Sequence, residues 1–254
     1  MHQSDVLDNG LRVVTSKLPQ TYSVTVAVLV GSGSRYESER IAGATHFLEH
    51  LLFKGTRSMP TAKQISAAIE GVGGVMNAST DRELTVYWCK VARTHFQTAL
   101  SVLIDMVMNP ILHPEEIEKE RKIIYEELRM SADYPSNRVD LLIDEMQWPD
   151  QPMGRDIGGS IESVERITRG DLLDLMGDQY TPSNVVVSVA GDVRQRAGAL
   201  WYRAALRRGG QHRTAGPSRG AVVGGGRYAT RRARGGIAGF WLAAQGGRRA
   251  FPRL

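Results

Sequence analysis

Ala42-Gly-Ala-Thr-His-Phe-Leu-Glu-His-Leu-Leu-Phe53 is the stretch on which the reading of this chain turns. Beyond its opening Gly43 it holds no helix breaker, and Phe47, Leu48, Leu51 and Leu52 recur at helical spacing, so a helix with one apolar stripe is expected. On a helix each residue advances about 100°. His46 and His50 therefore lie one turn apart on one face, with Glu49 at the edge between them. Two imidazoles so placed can take one Zn²⁺ from the same side. Glu49 is then close enough to take a proton from a water that the metal activates and pass it to a leaving amine, as hydrolysis of a peptide bond requires. The pentad His-x-x-Glu-His arises by chance in about one in a hundred chains of this composition. A lone helical His, by contrast, is more often a cap or a core residue.

Catalytic zinc needs a third protein ligand and an open fourth position. Pro114 to Met130 reads as a long charged helix with Pro in its first turn. Glu120 and Glu127 are seven apart and share a face of that helix, whereas Glu126 points about 100° away and is the poorer ligand. A Glu-rich helix is usually just a solvated face, so Glu127 gains its meaning from the histidine pair. His2, His95, His113 and His212 have no such partners and read as ordinary residues.

Around these two helices the chain alternates strands and helices irregularly. Residues 6–16 and 21–30 read as two strands, with turn chemistry at Asp8-Asn9-Gly10 and a hairpin-like entry into a sheet. Ala62 to Val72 is helical and stops at Gly73-Gly74, which suits a helix C-cap. Val75–Thr80 and Leu84–Cys89 look like two strands joined at Asp81-Arg82, and Phe96–Met108 like an apolar helix ended by Asn109-Pro110. More helix is expected at Asn137–Glu145 and Arg169–Gln179. The apolar run Asn184-Val-Val-Val-Ser-Val-Ala-Gly-Asp-Val193 belongs in the middle of a sheet. The fold class expected is α+β, a mostly antiparallel sheet with helices packed on one face. The single Cys89 sits in an apolar run, where a buried small hydrophobe is expected rather than a reactive thiol.

At 254 residues, 42% hydrophobic and 23% charged, the chain has the composition of an ordinary globular protein. Its net charge of +5 is not evenly spread. Fourteen Arg and no Lys, Asp or Glu fall in 194–254, leaving 18 basic against 27 acidic side chains before them, a net −9. Two domains are thus expected: 1–193, and a tail over 194–254 in which Arg, Gly and Ala dominate and the only helical pattern is Ala197–Arg208. That tail reads either as a disordered basic arm or as the out-of-frame translation of a GC-rich gene. No secretory signal and no run of about 18 apolar residues is evident, so a soluble, cytoplasmic protein without a membrane partner is expected.

Four linked segments resemble the pitrilysin and insulinase family of metallopeptidases, in particular its mitochondrial-processing-peptidase-like branch. They are Gly33-Ser-Arg-Tyr-Glu37, Thr45-His-Phe-Leu-Glu-His-Leu-Leu-Phe-Lys-Gly-Thr56, Gly73-Gly-Val-Met-Asn-Ala-Ser-Thr80 and Glu118-Lys-Glu-Arg-Lys-Ile-Ile-Tyr-Glu-Glu127. His-x-x-Glu-His is the inverted form of the common zinc-peptidase motif. The resemblance runs from about Asn9 to Val193 and implies one Zn²⁺ per chain held by His46, His50 and Glu127. It implies Glu49 as general base, with Glu120 as the accompanying carboxylate that orients the site. Asn77 and Ala78 match the family's edge strand, implying that an extended peptide substrate pairs with it. In such proteins a second, similar half closes a chamber over the zinc and contributes an Arg and a Tyr to the substrate. Residues after Val193 match neither the end of the family's first domain nor that second half, so weak activity is expected unless a partner chain supplies it.

Three functions compete. The first is a zinc endopeptidase acting on peptides or presequences, and the second a noncatalytic structural subunit, against which the intact His46, Glu49, His50 and Glu127 speak. The third is nucleic-acid binding through the Arg-rich tail, with an affinity that falls steeply with salt. The acidic balance of residues 1–193 makes nucleic acid a poor partner for that part of the chain.

Overall fold

The computed structural model describes residues 2–193. Six strands, β1 (His2–Val6), β2 (Arg12–Lys17), β3 (Ser23–Val30), β4 (Val75–Thr80), β5 (Thr85–Ala92) and β6 (Val185–Gly191), form one sheet in the order β1-β2-β6-β3-β5-β4. Only β2 and β6 run parallel; the other four pairings are antiparallel. Along β5 and β6 buried residues alternate with more exposed ones, and along β3 Val24, Val26, Val28 and Val30 make the buried set. That alternation gives the sheet an apolar face.

The described residues hold seven α-helices, all but α6 where the periodicity of the sequence places helix: α1 (Ala44–Leu52), α2 (Ala62–Glu70), α3 (Phe96–Met108), α4 (Pro114–Asp133), α5 (Pro135–Gln147), α6 (Ile161–Arg166) and α7 (Arg169–Gln179). Leu51 of α1, Ile65 and Ile69 of α2, and Leu103 of α3 join Val26, Val28, Tyr87 and Val187 of the sheet in one core. The expected α+β architecture, with helices on one face of a mostly antiparallel sheet, is the one observed.

Three local readings change. Residues 6–16 are not one strand: β1 and β2 form a hairpin about Asp8-Asn9-Gly10, where Gly10 takes a φ of 88°. β2 and β3 are not neighbours, because β6 lies between them, in the mid-sheet position its apolar run suggested. α6 is new; Ser160 and Ser163 cap it reciprocally, a pairing that lacks the usual Glu or Gln at the third helical position. Gly73-Gly74 does close α2: Gly73 adopts φ 73°, its N–H donates to Glu70 O and that of Gly74 to Ile69 O (2.9 Å each). Residues 194–254, with the helical stretch at 197–208 and His212, lie outside the described residues.

Candidate metal centre

The helix that carries the histidines is only nine residues long, too short to be stable by itself in water. It forms because Phe47, Leu48, Leu51 and Leu52 are all at most 1% exposed. At about 1.5–3 kcal/mol each, their burial offsets much of the cost of ordering so short a segment. Its N-terminus is held by Glu37, whose carboxylate accepts the N–H groups of Gly43 (2.7 Å) and Thr45 (2.6 Å). Gly43 takes φ 93°, and a Cβ there would lie 2.3 Å from the carbonyl oxygen of Gly158, so the residue before the helix must be glycine.

α4 crosses α1 with Ile117, Glu120 and Ile124 buried, one stripe of a helix whose other side is charged. Glu127 continues the stripe to the edge of the core. His46 Nε2 and His50 Nε2 are 3.2 Å apart, and Glu127 Oε2 lies 3.8 Å from the first and 3.5 Å from the second. Two nitrogens bound to one tetrahedral Zn²⁺ at about 2.0–2.1 Å stand about 3.3 Å apart. The donor spacing therefore fits a zinc ion, and the chemistry of the set, two imidazoles and a carboxylate, suits one. Among the described residues this is also the one group of three such side chains with donor atoms all within 4.8 Å of one another.

The remaining ring nitrogens support the same orientation. His50 Nδ1 is 3.3 Å from Glu120 Oε2; as donor to that carboxylate it leaves Nε2 with its lone pair directed at His46 and Glu127. Glu120 is 3% exposed, and Lys54 Nζ meets its other oxygen at 2.7 Å, so the buried charge is paired. Burial, with His50 as the next influence, holds the His46 imidazole down to about 4, so it is neutral at pH 7, as a ligand must be. His46 Nδ1 is buried without a hydrogen-bond partner among the described residues.

Glu49 stands beside the trio. Its Oε2 accepts a hydrogen bond from Thr80 Oγ1 of β4 (2.5 Å), and burial raises its carboxyl above the usual range despite that bond. Glu126, the alternative on α4, faces away and pairs with Arg129. Glu120 reaches the donor atoms only through His50, so it is a positioning residue and not a group that meets substrate. Asn77 and Ala78 lie on β4, an edge of the sheet: Ala78 packs toward the core, while Asn77 is exposed and its Oδ1 accepts the N–H of Ala78 at 2.9 Å. Sequence reasoning passed over Glu37, Lys54 and Thr80 as contributors. Lys54 had a signal, since it follows His50 by four residues and would share its face if the helix ran on past Leu52; Glu37 and Thr80 act from other elements and had none.

Fold and donor geometry together define an α+β domain built round an inverted zinc-peptidase motif. The chain belongs to the insulinase family, peptidase family M16, whose model matches residues 12–160. It is 42% identical over 187 residues to an uncharacterized zinc protease of Mycobacterium leprae, covering 74% of this chain and 42% of that protein. To an uncharacterized zinc protease of Bacillus subtilis it is 38% identical over 185 residues, covering 73% of this chain and 45% of that protein. The crystal structure of a protease from Helicobacter pylori superposes with a TM-score of 0.77 at 28% identity, over 80% of this chain and 49% of that one. The chain thus spans less than half the length of the curated relatives it matches.

Proposed function

We propose that the chain is the zinc-bearing half of an endopeptidase that hydrolyses extended, unstructured peptides such as presequences. The observation that carries this reading is the convergence of His46, His50 and Glu127 from two helices, with Glu49 beside them. In this reading His46, His50 and Glu127 hold one Zn²⁺, which supplies Lewis-acid polarisation of the attacking water and of the scissile carbonyl. Glu49 takes the proton from the water and returns it to the leaving nitrogen; its burial favours the protonated form needed for the second step. Glu120 keeps His50 in the tautomer whose Nε2 is free to ligate. The substrate lies along β4, its backbone pairing beside Ala78 and Asn77. A second, similar half, either a partner chain or a further domain, closes the chamber. The mitochondrial-processing-peptidase-like branch is favoured by the four linked motifs.

The test is Glu49→Gln. The variant should retain one zinc per chain and lose about 10²–10⁴-fold in turnover of an unstructured peptide, assayed with and without the second half of a relative. Undiminished turnover would overturn the mechanism. A chain that binds zinc but cleaves nothing in either assay would support a noncatalytic subunit instead.

A further inference from the structure

We propose that Thr80 is the positioning residue for Glu49, tying the proton-transfer carboxylate to the strand edge along which substrate lies. The proposal rests on the peptidase reading given above. Glu49 ends a side chain of three rotatable bonds, and a carboxylate so mounted does not hold one direction by itself. Among the described residues, the side chain that donates to it is Thr80, at 2.5 Å. Thr80 is well suited to the role. It is β-branched, hence restricted at χ1, and its backbone is fixed in the ladder opposite Thr85.

The ladder also shows where that hydroxyl sits relative to the edge. Asp81 N–H donates to Leu84 O (2.8 Å), which makes the Asp81 and Leu84 pair a hydrogen-bonded one. Antiparallel pairs alternate, so Ser79 and Asn77 bond across to β5, whereas the N–H groups of Ala78 and Thr80 point to the open side. The Ala78 N–H accordingly turns to Asn77 Oδ1. An extended peptide that displaced this side chain from Ala78 would run on toward Thr80, whose hydroxyl holds the base. One strand therefore sets both the register of the substrate and the direction of Glu49. A conformational error of about 1 Å at a reacting group costs on the order of 10²-fold in rate, so a tether of this kind has a measurable effect.

The experiment compares Thr80→Val, which keeps the branching and loses the hydroxyl, with Thr80→Ser, which keeps the hydroxyl. Thr80→Ala replaces the valine variant should the latter fail to fold. The full chain, zinc-loaded and ¹³C-labelled at glutamate carboxyls, gives a Glu49 resonance identified by its disappearance in Glu49→Gln. Thr80→Val should move that resonance and lower kcat on an unstructured peptide about 10–100-fold, with KM and zinc content unchanged; Thr80→Ser should restore both. An unmoved resonance in Thr80→Val, or a serine variant that behaves like it, overturns the proposal. If the parent chain cleaves nothing either alone or with the second half of a relative, the peptidase reading fails alone, and the resonance still decides the role of Thr80.

Discussion

Glu120 and Lys54 set the terms at the scale of single residues. A carboxylate 3% exposed needs its charge met, and here it is met by Lys54 on one oxygen and by the His50 ring on the other. Replacing Glu120 by Leu should therefore weaken zinc binding about 10–100-fold while leaving the fold intact, as metal titration would show. Lys54→Met should cost about 1–3 kcal/mol in urea unfolding, discounted because the lysine is itself 28% exposed and part-solvated. Cys89 offers a control. It is fully buried, and burial pushes its thiol up to about 12, so it should stay silent to a thiol reagent at pH 8 until the protein unfolds. The convergence of His46, His50 and Glu127 was legible because helical periodicity is a local rule: a spacing of four selects His46 and His50, and a spacing of seven links Glu127 to the buried Glu120. Thr80 was not legible, since its contact with Glu49 joins residues 31 apart in sequence on different elements.

The elements were read well where their pattern was long and regular. α3 and α7 begin and end as the periodicity predicts, because each is a complete apolar stripe bounded by breakers or caps. α6, six residues long, shows too little of a period to be seen, and β1, His-Gln-Ser-Asp-Val, has little strand propensity and owes its form to pairing with β2. α1 depends most on its surroundings. Glu37→Ala should remove the acceptor for two helix N–H groups and lower stability by about 1–3 kcal/mol, measured by denaturant midpoint. Gly43→Ala should be at least as costly, since φ 93° is strained for any residue with a Cβ and the carbonyl of Gly158 occupies that space. Both changes should weaken zinc binding as well, because the helix they loosen carries two of the proposed ligands.

In the whole molecule, charge divides after Val193. Every proposed ligand lies between His46 and Glu127, and residues 1–193 carry a net −9. Deleting residues 194–254 should accordingly leave one zinc per chain and remove any salt-sensitive binding to nucleic acid, as metal analysis and filter binding would report. Among the described residues no helix is long and apolar enough to cross a membrane. The sheet's strand order, unlike its strands, could not be read in advance. Adjacency of β2 and β6 is a matter of global packing, and no local pattern in Arg12–Lys17 names Val185–Gly191 as its neighbour.

That adjacency bears on how the molecule is made. Among the described residues β6 is the last strand to leave the ribosome, yet it joins the first hairpin to the rest of the sheet. At usual rates of synthesis the nascent β2 waits roughly 10–30 s for it, with one side bare. During that interval β2 and β3 each present an unsatisfied row of amide and carbonyl groups, which is a template for cross-chain association. A chain cut short before Val185 would carry His46, His50 and Glu127 but lack the strand that joins the two parts of its sheet, a ready client for chaperones.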